Sequence, residues 1–237
     1  MNIGALHLKF KERSGVAGGY GDSSPYEIDL KINEAQNWLI KNYKLIQRAD
    51  SQLVKDLYAP FIVREEVNMT EISPNRLYIV SLDNLNHNYV QLEQFTYLCG
   101  DDYATVDIES FDTINRKLKD AHQKPSRKWN RSLATILDNK LYVYTEQKLN
   151  EGIITYIRRP EDVFFGGYNT EAYLYCQENG GTNCDNYYKA TDDPVTSEFS
   201  DHYQELVVDV AVWLNSGKTA NSLINQLTKE KLNFNNS

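Results

Sequence analysis

Asp101, Asp102, Asp107 and Glu109 crowd into one short stretch. Paired carboxyl groups of this kind can flank a glycosidic bond, one as acid and the other as base or nucleophile. The competing reading is a hydrated turn leading into a strand edge, and no G-x-S-x-G nucleophile setting accompanies the acids. Ser216-Gly217-Lys218-Thr219 resembles the end of a phosphate loop. That motif needs a glycine where Val212 stands and a preceding strand, so Gly217 reads as a helix stop instead. His7, His87, His122 and His202 are scattered, and Cys176 and Cys184 have no second pair at zinc spacing. No catalytic residue, metal or cofactor is expected. A basic run remains: Arg116, Lys117, Lys119, Lys124, Arg127, Lys128 and Arg131, with Trp129 among them. Aromatics between bases can stack on nucleobases. With a single aromatic, contact with an acidic protein surface is the better reading, and these seven residues are the candidate contact site.

The charge distribution sharpens that reading. The chain of 237 residues carries a net charge of -8, which argues against a general nucleic-acid binder. Residues 116–131 hold seven bases and one acid, whereas 161–205 hold ten acids and one base, Lys189. The two segments, at +6 and -9, are either solvated loops or complementary surfaces within or between subunits. Tyrosine (17) and asparagine (23) are abundant, and tyrosine suits both half-buried strands and surfaces that meet partners. Three cysteines form no CxxC pair, which points to a reducing compartment. No apolar run approaches the ~20 residues that span a bilayer, and no secretory signal is read at the start.

The elements that must carry these residues follow from periodicity. Residues 1–25, with the glycine cluster Gly15–Gly21, read as a flexible N-terminal arm able to dock on a neighbour. Ile28, Ile32, Ala35, Leu39, Tyr43, Ile46, Leu53 and Leu57 recur at helical steps, with a break expected near Asp50-Ser51. Strands are expected in 76–109, then a short helix in FDTINRKLKDAH, a basic loop, and an antiparallel meander over 132–159 turning at Asp138-Asn139. A strand at AYLYC and helices at 199–215 and 219–231 complete the reading. The expected fold is α+β: helical at 26–70 and 196–231, β-rich at 76–176. One domain over 26–237 would hold the N- and C-terminal helices together beside a mainly antiparallel β region.

Three stretches carry a resemblance. They are INEAQNWLIKNYKLIQRADSQLVKDLYAPFI, KPSRKWNRSLATILDNKLYVYTEQKLNEGIITYIRRPEDV and DDPVTSEFSDHYQELVVDVAVWL, which together cover under half the chain. Their order resembles the ring or head-tail connector proteins of crAss-like tailed bacteriophages, although the last stretch is one residue longer than that pattern. The resemblance implies a non-enzymatic virion protein of the neck or tail, present in the host cytoplasm during assembly. It implies a homo-oligomer, a dodecameric ring, contacting the portal protein and other neck or tail rings. Viral DNA would pass through its channel without sequence-specific binding, and no membrane is involved. The alternatives are a glycan-binding or tail-fibre-associated virion protein and, with less support, a carboxylate-dependent hydrolase.

Overall fold

The computed structural model describes residues 1–17, 23–49, 51–72, 76–99, 102–149, 151–166 and 194–216. The α+β expectation holds, with six α-helices and eight strands among the described residues. The expected single domain does not hold. The chain divides into two compact units, residues 1–60 with 160 onward, and residues 61–159.

The first unit is built from helices at both ends of the described chain: α1 (Ile3–Ala17), α2 (Pro25–Lys41), α3 (Tyr43–Ala49), α4 (Ser51–Tyr58) and α6 (Asp201–Asn215). A capping box starts α2: Ser24 accepts the Glu27 amide, Glu27 reaches back to the Ser24 amide, and Pro25 occupies the first turn. Its apolar stripe, Ile28, Ile32, Ala35 and Leu39, is fully buried. The helix ends at its C-cap Asn42, earlier than the expected break. The Asn42 amide and side chain take the Trp38 carbonyl, and the Tyr58 hydroxyl donates to the Leu39 carbonyl at 2.9 Å. Burial first, and then Tyr43, push the Tyr58 phenol well above its ordinary value, so it stays a neutral donor.

The expected flexible arm at 1–25 is corrected: residues 3–17 form a helix in the core of this unit. Ile3, Leu6 and Phe10 are buried, and α1 packs on both α2 and α6. Lys9 and Arg13 of α1 pair with Glu205 and Asp209 of α6. The Lys9 hydrogen bond holds the Glu205 carboxyl below its ordinary range, while burial raises that of Asp209 against the pull of Arg13. Glu205 therefore adds stability above its ordinary range and loses it as the pH falls through its lowered folded value. Both carboxylates are partly exposed, so the effect is small.

A second stripe on α2 is polar and largely shielded from solvent. Asn33 accepts the Val163 amide at 2.7 Å and donates to the Val163 carbonyl at 3.1 Å, as a strand partner would. Gln36 donates to the Glu161 carbonyl and accepts from Ser197. Asp29 accepts the Phe165 amide at 2.8 Å and bonds the buried His7 ring at 2.6 Å, and that ring stacks on Phe165. This stripe fixes the returning chain to the helix. Asp29→Ala would orphan both the His7 nitrogen and the Phe165 amide, at a cost of about 2–4 kcal/mol. Asp29→Asn, which keeps one acceptor, should cost less; urea midpoints of the two variants check the ranking.

The second unit is a barrel. Its strands are β1 (Ile62–Asn68), β2 (Thr70–Ile72), β3 (Leu77–Ser81), β4 (Tyr89–Cys99), β5 (Asp102–Ile108), β6 (Ser132–Leu137), β7 (Lys140–Tyr144) and β8 (Glu151–Arg158). They form one sheet in the order β1-β8-β4-β5-β6-β7-β3-β2. Strands β1 and β2 lie at opposite ends of that order, yet Met69 alone separates them in sequence. Successive Cα atoms lie only about 3.8 Å apart, so the two edges must meet at Met69 and the sheet closes on itself. All pairings are antiparallel except β5 with β6, which are joined through the crossover helix α5 (Phe111–Lys119). Register shifts in β4 at Tyr89/Gln91 and Leu92/Gln94 supply local bends. Inward residues, among them Tyr78, Phe95, Tyr97, Val143, Ile154 and Tyr156, fill the interior.

Two strand expectations change. The span taken as helical to residue 70 gives way to β1 at Ile62. The β6–β7 hairpin forms, with Asp138 and Asn139 both at positive φ, as a tight primed turn requires. However, β8 does not continue that meander: it inserts between β1 and β4, because β3 already occupies the other edge of β7. Gly152 on β8 makes this insertion possible. A Cβ there would stand 2.4 Å from the ring of Phe95, itself fully buried. Gly152→Ala should lower stability by about 1–3 kcal/mol through overpacking. A fall in the urea midpoint without a change in slope is the expected result.

Candidate interaction site at the mouth of the barrel

Barrel closure gathers strand ends that are far apart in sequence. At one end, the end of β2, the start of β3, the end of β4 and the β7–β8 loop surround an open cleft of about 730 Å³. Arg76, Arg127 and Lys148 line it together with Glu71, Glu146 and Leu98. The ends of β4, β6 and β7 carry a buried hydroxyl chain. Tyr97 bonds Ser132 at 2.8 Å, Ser132 donates to Thr145 at 2.8 Å, and Thr145 accepts the Gln147 amide. The Tyr78 hydroxyl accepts the Leu149 amide and so pins the β7–β8 loop over the barrel end. The Thr145 amide donates to the carbonyl of Arg76, which holds a left-handed φ of 51°.

The charge arrangement is mixed. Glu146 accepts the Arg127 backbone amide at 2.9 Å, so one of its oxygens is already engaged. Among the described residues, the Arg76, Arg127 and Lys148 side chains make no ion pair. Large apolar side chains lie on the same unit. Leu98 and Tyr103 are register partners on β4 and β5, 56% and 61% exposed, and Trp129, between the lining residues Arg127 and Asn130, is 70% exposed. The ammonium of Lys128 lies 5.1 Å from the centre of the Trp129 ring. The cleft is therefore equipped to bind by cation pairing and hydrogen bonding.

The seven basic candidates lie on α5, on the loop that follows it and just before β6. Of them, Arg127 alone lines the cleft. Arg116 and Lys119 are exposed on α5, Lys124 is exposed in the following loop, and Lys117 is paired with Glu109 of the same chain. Arg131 donates to the His122 carbonyl and pairs by backbone with Ser126. Of the clustered acids, Glu109 is engaged by Lys117, Asp107 is exposed, and Asp101 lies outside the described residues. His87, His122 and His202 are exposed, and no group of three metal-ligating side chains occurs among the described residues. The SGKT glycine and lysine, Cys176, Cys184, the AYLYC strand and the 219–231 helix also lie outside them. Arg76, Lys148, Glu71 and Glu146 were not singled out in the sequence, since closure of the sheet alone makes them neighbours.

These features define an α+β protein whose strand-built unit bears an open, mixed-charge cleft and, elsewhere on its surface, exposed aromatic residues. No protein-family model matches the chain, and no curated protein matches it. No helix among the described residues is long and apolar enough to cross a membrane.

Proposed function

We propose that this chain is a non-enzymatic virion structural protein of a tailed bacteriophage. It assembles as a homo-oligomeric ring in the neck or tail, matched to a twelvefold portal, and joins the portal to the tail around the DNA channel. The sequence resemblance supplies the setting. The observation that carries an assembly role is the barrel mouth, where exposed Leu98 lines the cleft with Arg76, Arg127 and Lys148, while exposed Tyr103 is the register partner of Leu98 and exposed Trp129 lies two residues from Arg127. Exposed aromatic residues together with arginine are the composition of interface cores, not of ordinary surface. The glycan-binding alternative draws on the same unit, with the exposed Trp129 available to stack on a sugar ring.

Negative-stain imaging of the purified chain, alone and with its portal protein, tests the reading. Uniform rings are expected, and they should dissociate as salt rises, because screening acts over about 10 Å at 0.1 M. Single copies at every concentration, combined with saturable glycan binding, would favour the alternative.

A further inference from the structure

We propose that the barrel-mouth cleft receives the acidic, tyrosine-rich segment 167–193 of a second copy of this chain, an inference that rests on the assembly reading above. Charge complementarity selects this occupant. Of the acids between 161 and 205, Glu205 is already paired with Lys9 and Arg13, Asp201 with the Met1 amino group, and Glu198 accepts the Glu161 amide. Segment 167–193 contains Glu171, Glu178, Asp185, Asp192 and Asp193 against one base, Lys189. The same segment contains Tyr168, Tyr173, Tyr175, Tyr187 and Tyr188.

The cleft is built for both kinds of group. The Arg76, Arg127 and Lys148 side chains, unpaired among the described residues, offer donors to carboxylates, and the two guanidinium groups can do so in bidentate fashion. A purely anionic ligand would also meet Glu71 and Glu146. A segment with phenol hydroxyls supplies donors for those acceptors, and its rings have Leu98 to pack on. At about 730 Å³ the cleft lies within the size range of ligand sites, large enough for several side chains of one peptide. A cleft on one copy and a segment on the next make a heterologous contact, the kind that generates a ring when the rotation closes.

Two full-length variants test this: a cleft variant, R76E/R127E/K148E, and a segment variant, E171Q/E178Q/D185N/D192N/D193N. Circular dichroism and thermal melting establish that each is folded, and sedimentation at low salt reads assembly. Wild type is expected to assemble and each variant alone to remain a single copy. An equimolar mixture should form dimers only, because the segment of the cleft variant enters the cleft of the segment variant and nothing further can add. Rings that survive in the cleft variant would overturn the docking and leave the ring reading standing. Wild type that forms no ring, with dimers still appearing in the mixture, would overturn the ring and keep the docking. If either variant fails to fold, titrating a synthetic 167–193 peptide into the wild-type chain decides. Saturable binding that weakens at least tenfold between 0.05 and 0.5 M salt is expected, and no binding overturns the proposal.

Discussion

Val210→Asp is expected to prevent the native fold or to lower its stability by several kcal/mol. Val210 is fully buried on α6, between Val207 and Ala211 of the same buried face, in the helical unit that α1 and α2 complete. A carboxylate placed there has no cation to meet among buried valines. It must either pay the desolvation of an unpaired charge or take up a proton. Total stability of a domain is only about 5–15 kcal/mol, so one such substitution consumes much of it. Thermal melting read by circular dichroism checks the outcome. A variant that melts like wild type would place Val210 at the surface and refute the helix packing.

Removing residues 2–17 should be comparably severe. Ile3, Leu6 and Phe10 would be lost from the core, and burial of each such side chain contributes roughly 1.5–3 kcal/mol. The deletion also strips the cover from one side of α6 and removes the buried His7–Asp29 bond. Loss of the cooperative transition is expected. An unchanged transition would return this segment to the status of a dispensable arm, as its glycines alone had suggested.

Helix α2 was legible because Ile28, Ile32, Ala35 and Leu39 repeat cleanly and Ser24, Pro25 and Glu27 mark its start. Strands β3 to β8 were legible as short apolar or alternating runs between turn residues. Helix α1 was not, since its buried stripe holds three apolar residues, Ile3, Leu6 and Phe10, beside the polar His7 and Ser14, with Gly4 and Gly15 inside the helix. Partner packing pays for that helix, and periodicity within the segment cannot reveal it. Strands β1 and β2 were hidden by charge: Arg64, Glu65, Glu66 and Glu71 interrupt their apolar residues, because the span forms the two joined edges of the sheet.

The candidate site shows the same limit more sharply. Arg127 stood out as part of a basic run, but its partners in the cleft, Arg76 and Lys148, are solitary cations in sequence. Their convergence follows from strand order, and a non-consecutive order such as β8 between β1 and β4 is a property of the whole closed sheet. The summed charge of 161–205 misled in the opposite direction. Glu205 and Asp201 count toward it, yet both are paired within the chain.

The proposed assembly would make this chain a stoichiometric ring subunit of a virion. Quantitative mass spectrometry of purified particles of the encoding phage, with the portal protein as internal standard, tests it most directly. One copy per portal subunit is the predicted result. Absence from the particles, or only a few copies in each, would contradict it.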